Sequence, residues 1–376
     1  MPQKTQEEQP QNNASKDKGA SATDILFFEK WLSQLGEKKA TDIHLTVGNV
    51  PMLRIDGKIT PLMDEEILTA ERIETIVEHL LNEEELDQLS KNKQLIISRT
   101  LKKVMRFRIH FSYSRGFLVL SLRHLSSETR SLKELGVPEI TSEVITSDQG
   151  LFIVSGSFDS GRTTTVKAQV SEINQTQEKY IVTLENPIEH IIPSDKSVVV
   201  QREVGLDVES FEEGLVAIKD EDVNIVVVGS IDTAPVLAHV LDLANTGRLV
   251  IAIMEGRHSV GVLEELRDMF DESSRAHILN LLGDTLLGIT VQLLLPKVGG
   301  GRVMIAEVMR ATHPVKSLIH ENKLSQIPNI IQTSRSQGMI AMDKALEEAV
   351  KEGKITIEHA KEHAVDINQF NLLVSH

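Results

Sequence analysis

Residues 151–165 read LFIVSGSFDSGRTTT, an apolar run followed by a glycine-bounded turn and a polar stretch. The run at Leu151–Ser155 has the continuous apolar composition of a strand that is buried on both faces. A helix is predicted after Thr163, and a second apolar strand follows at Tyr180–Leu184. Apolar strands that alternate with amphipathic helices are typical of a mostly parallel sheet covered by helices on both sides. This stretch therefore predicts an α/β fold.

The turn inside this stretch has the spacing of a phosphate-binding loop. Gly156 and Gly161 match the glycines of the pattern G-x-x-x-x-G-K-[ST], and Thr163 matches its last position. Such a loop binds phosphate because backbone N–H groups converge on the anion at a helix N-terminus. Two residues depart from the pattern, since Arg162 replaces the lysine and Asp159 adds a carboxylate. A carboxylate about 4 Å from a phosphate opposes it by roughly 4 kcal/mol per unit charge, so a tight turn without a ligand is the alternative interpretation.

A hydrolytic nucleotide site also needs an acid, or another group that positions water, near the end of a later strand. The buried strand predicted at Ile225–Val228 is followed, after one glycine, by Ser230. Serine is a poor replacement for the acid, and a turn or helix-cap role is favoured for Asp232 downstream. Glu185 and Glu189 flank an Asn-Pro turn and are the candidates for polarising water. A solvated turn is the alternative interpretation for these two glutamates.

The composition is that of an ordinary globular protein, with 40% hydrophobic and 25% charged residues. A length of 376 residues predicts two or three domains. The net charge of −15 argues against nucleic acid or anionic lipid as the main partner, because both require a basic surface. Cysteine is absent, which excludes disulfides and thiolate metal sites. Apolar runs such as Leu249–Met254 are too short to span a bilayer, and no signal-peptide core is found, so a cytoplasmic location is expected.

The first third of the chain predicts a polar tail and a small α+β domain. Residues 1–23 have almost no large apolar side chain, so a disordered tail is predicted. A helix is expected to begin with Asp24 as its N-cap and to end at Gly36. The basic segment Leu101–His124 contains no acid, which predicts either a solvated strand face or an anion-facing surface. The other expected elements are strands within Ile43–Leu62 around a turn at Asp56-Gly57, a helix at Ile67–Leu89 and strands within Arg106–Leu122.

Strands and helices alternate in the rest of the chain, after a connecting segment at Thr129–Glu143. Further strands are predicted at Ile225–Val228, Leu249–Met254, Thr290–Leu295 and Arg302–Met309. Helices are predicted at Phe211–Lys219, Ala234–Leu243, Val260–Phe270, Ala276–Leu287, Val315–His320, Pro328–Thr333, Met342–Glu352 and Ile357–His363.

Several motifs, in a fixed order, resemble those of one protein family. Thr183–Glu189 (TLENPIE) resembles its acidic box TIEDPIE, and Gln201–Gly205 matches its QREVG. The chain is therefore similar, over roughly Asp24–Phe370, to the secretion-ATPase superfamily and, within it, to the type IV pilus retraction (twitching motility) ATPases and their accessory paralogues. The remaining matches are Thr41–Leu45 with SDLHL, Pro51–Gly57 with PxxRxDG, Arg106–Arg108, Arg115 and Arg123 with the first-domain arginines, Gly299–Glu307 with GGGRVAAHE, and Ile330–Asp343 with AIQTGxxxGMxTLD.

The chain departs from the family pattern mainly at the residues that carry out the chemistry of the family. The family loop reads GPTGSGKS, so Asp159 replaces a glycine and Arg162 replaces the lysine. The strand-end glutamate of the family falls on Ser230, and the histidine of its box TLHT falls on Glu255. The other replaced positions are three arginines, at Val216, Asp220 and Glu265, and the acidic-box aspartate, at Asn186. Because the strands and turns are still clear in the sequence, the resemblance indicates a retained fold with degenerate catalytic motifs.

The resemblance implies a PAS-like α+β N-terminal domain followed by a RecA-like P-loop NTPase domain with a helical C-terminal subdomain. The expected boundaries are 1–23 for the disordered tail, 24–125 for the PAS-like domain, 126–146 for a linker, 147–310 for the RecA-like domain and 311–376 for the helical subdomain. ATP and Mg²⁺ are the cofactors implied, with Thr163 as the metal ligand. The nucleotide-binding residues implied are Gly156, Ser160, Gly161, Arg162, Thr163 and Thr164, together with Arg108, Arg115 and Arg123 of the first domain.

The function implied is that of a pilus retraction ATPase-family protein with impaired catalysis, acting as a motor subunit or regulator. It would form a homo-hexamer, or a mixed ring with an active paralogue, at the inner-membrane pilus machinery, and would contact the platform protein there. Two alternatives remain open. One is an active motor in which Arg162 serves as the lysine and Glu185 or Glu189 replaces the missing acid. The other is an assembly scaffold that no longer binds nucleotide.

Overall fold

A six-stranded sheet and a seven-stranded sheet organise two compact units, which divide between Ser127 and Glu128. The computed structural model describes residues 14–38, 40–55, 58–102, 105–125 and 130–374, with side chains from residue 22 onward. Within these ranges, none of the helices combines the length and hydropathy that a membrane span requires.

The first unit is an antiparallel sheet that shares one apolar core with its helices. Its strands are β1 (Asp42–Thr46), β2 (Met52–Ile55), β3 (Lys58–Pro61), β4 (Gln94–Leu101), β5 (Met105–Ser114) and β6 (Phe117–Leu125), and its helices are α1 (Ala14–Glu37), α2 (Ala70–Leu80) and α3 (Glu83–Asn92). The strand order is β3-β2-β1-β6-β5-β4, and each neighbouring pair is antiparallel. Trp31 from α1 and Phe107 and Phe111 from β5 are fully buried in one apolar core. The expected α+β architecture of this region is therefore present.

The start of α1 corrects the predicted N-terminal boundary. The helix begins at Ala14, so residues 14–23 do not belong to a disordered tail, and residues 1–13 lie outside the described ranges. Alanine and lysine in this stretch have favourable helix propensities, which the lack of large apolar side chains concealed. Asp24 is consequently not an N-cap but lies within the helix, where its carboxylate accepts a hydrogen bond from Arg72 Nε at 2.6 Å.

Two other elements of the first unit differ from the prediction. The helix expected at Ile67–Leu89 is broken into α2 and α3 by a capping box, in which Asn82 and Glu85 exchange side-chain and backbone hydrogen bonds. Strand β4 was not predicted, because it lies at a sheet edge and its apolar side chains do not alternate strictly with polar ones. The predicted hairpin is formed by β2 and β3, whereas its turn at Asp56-Gly57 lies outside the described residues.

The second unit is built on a mostly parallel sheet. Its strands are β7 (Gly150–Gly156), β8 (Tyr180–Glu185), β9 (Val198–Glu203), β10 (Ile225–Val228), β11 (Leu249–Glu255), β12 (Leu286–Pro296) and β13 (Arg302–Arg310). The order is β13-β12-β7-β11-β10-β8-β9, and only the β12–β13 pair is antiparallel. Every residue of β7 and β10 is buried, which explains why these strands are visible as continuous apolar runs. The half-exposed edge strand β9 lacks that signal and was missed.

The helices of this unit cover the sheet and extend past its last strand. They are α4 (Leu132–Leu135), α5 (Glu139–Val144), α6 (Arg162–Thr176), α7 (Phe211–Lys219), α8 (Ala234–Asn245), α9 (Ser259–Asp268), α10 (Glu272–Thr285), α11 (His313–His320), α12 (Ile327–Thr333), α13 (Met342–Lys351), α14 (Ile357–His363) and α15 (Ile367–Val374). The predicted linker 126–146 is corrected over 130–146, because α4 and α5 form there and bury Leu132 and Ile140 in the core beside the sheet. Helix α15, which was not predicted, is amphipathic and buries Phe370.

The C-terminal helices are attached to the sheet through strand β13. Val308 of this strand and Ile340 exchange backbone hydrogen bonds of 2.8 and 3.1 Å on the side that faces away from β12. The amide of Val298, at the start of the β12–β13 turn, donates to the carbonyl of Lys354 at 2.9 Å. The helical region therefore continues the hydrogen-bonded framework of the sheet.

Candidate functional site

The loop after β7 has the backbone geometry of the predicted strand–loop–helix motif. It lies at the carboxyl end of a central parallel strand, where α/β sheets bind their ligands. Gly156 has φ +154°, and a Cβ at this position would lie 2.3 Å from Ser160 Oγ and 2.5 Å from the carbonyl of Gln292. Gly161 has φ +89° and directly precedes α6. Both glycines of the pattern are thus required by the backbone.

The polar side chains of the loop differ in their surroundings. Ser160 is 1% exposed, and its hydroxyl has no hydrogen-bond partner among the described residues. Thr163 is half-buried and Thr164 is exposed, and both lie in the first turn of α6. The predicted nucleotide-binding residues of the second unit are therefore gathered on one loop and one helical turn.

Asp159 is held in a conformation that favours glycine. Its φ is +62°, in the left-handed region, where the family pattern has a glycine. Its carboxylate accepts a hydrogen bond of 3.0 Å from Arg302 Nη1, and both side chains are more than half exposed. Arg302 begins β13, directly after three glycines that all have positive φ. The loop carboxylate is thus paired with a cation from the neighbouring hairpin.

Arg162 is engaged by the end of the neighbouring strand β11. Its Nη1 donates to the carbonyl of Met254 at 2.8 Å, and its Nη2 donates to Glu255 Oε1 at 3.2 Å. The Arg162 side chain is only 14% exposed, whereas that of Glu255 is 74% exposed. Glu255 lies opposite Gly156 in the β7–β11 register, which brings it next to the loop. The replacements of the family lysine and of the family histidine are therefore in contact with each other.

The predicted first-domain arginines belong to the other compact unit, where two of them are cross-strand neighbours and the third lies apart in a turn. Arg108 on β5 and Arg123 on β6 are directly opposed in register. Arg115 lies in the β5–β6 turn with φ +54°. Arg123 Nε donates to Asp42 at 2.9 Å. Burial alone would raise the pKa of Asp42, but the hydrogen bonds from Thr41 and Arg123 together lower it. Their approach to a nucleotide stays a prediction.

Glu185, one of the two predicted catalytic glutamates, ends strand β8. Burial raises its pKa, and the nearby Glu189 and Glu203 raise it further, against hydrogen bonds from Thr183 and Gln201 that lower it. These two side chains donate to Glu185 Oε1 at 2.6 and 3.0 Å. Three strand spacings separate β8 from β7, which is roughly 14 Å. At that separation the Glu185 carboxylate belongs to a neighbouring polar cluster rather than to the loop.

Ser230 occupies the place of the family's strand-end acid. It follows β10, and its hydroxyl donates to Asp232 Oδ1 at 2.5 Å. The amide of Gly229 donates to the carbonyl of Leu184 at 2.8 Å and fixes the chain at this point. Ser230 with Asp232 therefore forms a local turn contact in the position where a hydrolytic site places its water-orienting acid.

The pKa of Glu185 predicts a pH-dependent effect of the change Glu185→Gln. Since the folded-state pKa lies above the ordinary value of 4.5, the folded state binds more protons than the unfolded state from about pH 4.5 upward. The stability of the native chain should therefore fall as the pH rises through this window. The amide oxygen of the introduced glutamine can still accept from Thr183 and Gln201, so the variant should be more stable than the native chain at pH 7 and equal to it below pH 4.5. Thermal unfolding from pH 4 to pH 8 measures this difference, and a constant difference at all pH values would contradict it.

Two polar contacts between distant residues were not predicted from the sequence, although Glu307 and Arg202 both belong to the family motifs. Glu307 is buried and accepts hydrogen bonds of 2.6 Å from both the amide and the hydroxyl of Ser259, at the start of α9. Arg202 makes a bidentate contact with Glu221, at 2.8 and 2.9 Å, and this hydrogen-bonded contact lowers the pKa of Glu221. The motifs draw attention to these two residues, but they do not show which residues they contact, because the partners are distant in sequence.

A family model described as Type II/IV secretion system protein matches residues 16–362. The type IV pilus retractation ATPase PilT of Pseudomonas aeruginosa is 31% identical over 343 residues, which cover 91% of this chain and 97% of that protein. The type IV pilus ATPase PilU of the same organism is 28% identical over 350 residues, covering 93% and 91%.

Solved structures agree with this similarity. A crystal structure of the pilus retraction motor PilT with bound ADP covers 90% of this chain and 97% of its own, with a TM-score of 0.84 and 33% identity. The ATPase DotB of Legionella pneumophila has a TM-score of 0.77 at 19% identity, covering 90% and 95%, and supports the fold alone. The expected fold, a PAS-like α+β domain followed by a RecA-like domain with C-terminal helices, is confirmed.

Proposed function

This chain belongs to the Type II/IV secretion system protein family and, within it, to the type IV pilus retraction ATPases, and we propose that it is a member whose ATP hydrolysis is impaired. The observation that carries the proposal is the pairing of Arg162 with Glu255 and the Met254 carbonyl. A phosphate-loop lysine acts by placing its charge on the β and γ phosphates. Here the replacement cation is already engaged by the protein itself.

The loop backbone still fits the phosphates of a nucleotide, whereas its charged side chains do not. Gly156 and Gly161 keep the turn, and the buried Ser160 hydroxyl without a partner suits a phosphate oxygen. Thr163 would hold Mg²⁺ through its hydroxyl. ATP would supply the reactive γ-phosphoryl group, but Ser230 offers no carboxylate to orient the attacking water. Nucleotide binding without efficient turnover is the outcome that this set of residues favours.

ATP turnover by the purified full-length chain tests the proposal. With Mg²⁺ present, phosphate release should be at least about a thousandfold slower than for an active retraction ATPase in the same assay, because two groups that stabilise the transition state are replaced. Binding is measured in parallel by equilibrium titration with labelled ATP. Turnover at a rate comparable to the active enzyme would overturn the proposal.

The same assay separates the two alternatives. Turnover that is abolished by Glu185→Gln would support an active motor in which this glutamate replaces the missing acid. Absence of both binding and turnover would support an assembly scaffold. Binding without turnover would support a regulatory motor subunit, which is the function proposed.

We further propose that the chain assembles into a homo-hexamer, or into a mixed ring with an active paralogue, in the cytoplasm at the inner-membrane pilus machinery. The support is similarity to a protein described as a pilus retraction motor. An inner-membrane pilus platform protein would be the partner, and nucleic acid is not expected to bind. Sizing the chain alone and with an active paralogue measures the assembly; a monomer in both mixtures would contradict every ring arrangement.

A further inference from the structure

The loop after β7 retains features that attract an anion. It leads into the N-terminus of α6, a helix of 15 residues whose dipole favours negative charge at this end. The Ser160 hydroxyl lies inside the loop, 2.3 Å from the place where a Cβ on Gly156 would be, and has no partner in the described part of the chain. This buried donor is an independent sign that the loop can accept a ligand oxygen.

The cation of the loop is saturated by acceptors of the protein. Arg162 donates from one terminal nitrogen to the Met254 carbonyl and from the other to Glu255. A guanidinium binds a phosphate best through two parallel N–H donors, so both contacts compete with such binding. Of the two acceptors, only the Glu255 carboxylate carries charge. It also extends into solvent on an exposed side chain, where it can be displaced or replaced without disturbing the core.

We infer that Glu255 lowers the affinity of the loop for phosphate groups, because its carboxylate competes with them for Arg162. Its carboxylate takes the position on Arg162 that a phosphate oxygen of a nucleoside diphosphate would need. The inference rests on the proposed function, since it concerns the nucleotide site that this function retains. It concerns ligand binding alone, so that it can be tested without any turnover.

The ion pair between Asp159 and Arg302 makes Arg162 the loop cation on which phosphate binding depends. Asp159 is paired with Arg302, so these two charges largely offset each other at an exposed position. Removing the Glu255 charge changes the balance at Arg162 without touching that pair. The prediction is therefore specific: the effect of Glu255 on anion binding should depend on whether residue 162 carries a guanidinium.

A double-mutant cycle on the full-length chain tests this dependence. ADP and inorganic phosphate are titrated calorimetrically, without Mg²⁺, into the native chain, Glu255→Gln, Arg162→Ala and the double variant. Glu255→Gln should tighten ADP binding about tenfold, because it removes the negative charge that competes with phosphate for Arg162 Nη2. In the Arg162→Ala background the same change should give roughly twofold or less, which is what simple charge repulsion contributes. Glu362→Gln, on exposed helix α14, removes the same charge elsewhere and should have no effect.

Circular dichroism and thermal unfolding verify that each variant is folded. A gain that is equal in both backgrounds, or no gain from Glu255→Gln, would overturn the inference. Neither result affects the proposed loss of hydrolysis, which turnover alone decides. Conversely, rapid ATP turnover by the native chain would contradict the proposed function, but it would not contradict competition between Glu255 and phosphate for Arg162.

Discussion

A variant that carries Asp159→Gly, Arg162→Lys and Glu255→His together is expected to bind ADP about a hundredfold more tightly than the native chain. The change Asp159→Gly removes a carboxylate from the loop and restores glycine where φ is +62°. Because Arg302 and solvent already screen that carboxylate, we expect about tenfold from its removal instead of the full repulsion of an unpaired charge. The other two changes return an unengaged lysine and remove its competitor, which should add about another tenfold.

This expectation is measured by calorimetric titration with ADP in the presence of Mg²⁺. The matched control is Asp195→Asn with Glu362→Gln, which removes two exposed acidic charges elsewhere in the second unit and should leave ADP affinity unchanged. Hydrolysis of ATP should stay low in the triple variant, because Ser230 is still present in place of the acid. An affinity within threefold of the native chain would show that the loop backbone, and not its charges, limits binding.

Replacing Glu307 with alanine is expected to lower the free energy of unfolding of the second unit by about 3 kcal/mol. The carboxylate accepts two hydrogen bonds of 2.6 Å from Ser259 and a longer one, of 3.4 Å, from the amide of Met342. Truncation would leave the Ser259 donors buried without an acceptor, and such unsatisfied groups are costly. For a domain of this size the melting temperature should fall by roughly 8 °C.

Thermal unfolding followed by circular dichroism measures the effect. Glu362→Ala, at an exposed position, should change stability by no more than about 0.5 kcal/mol. Glu307→Gln keeps one acceptor oxygen and should give an intermediate loss. If Glu307→Ala and the exposed control shift the melting temperature equally, the hydrogen bonds that Glu307 accepts from Ser259 do not contribute the expected stability.

The strands that the sequence predicted correctly are those buried on both faces. The apolar runs of β7, β10 and β11 have little alternative to a covered parallel sheet. Edge strands β4 and β9 carry mixed polar and apolar side chains and gave no such signal. The periodicity of apolar residues shows which faces of a strand are buried. An edge strand is only partly buried, so its pattern is weak and the strand cannot be predicted without knowing which elements lie beside it.

The candidate site was predictable in its outline and not in its contacts. Fixed spacing between Gly156 and Gly161 was enough to find the loop and to see that Asp159 and Arg162 depart from the pattern. Their partners could not be found in this way, because Arg302 is 143 residues from Asp159 and Glu255 is 93 residues from Arg162. Only the strand order, with β11 beside β7, brings such distant residues together.

The backbone bridge between Val308 and Ile340 has a consequence for solubility. An uncovered outer strand offers free N–H and C=O groups to any similar strand of another molecule and invites aggregation. At β13 the segment that leads into α13 satisfies some of these groups itself. The C-terminal helices therefore shield one margin of the sheet from edge-to-edge association, a protective role that this chain would keep even if it had lost every trace of motor activity.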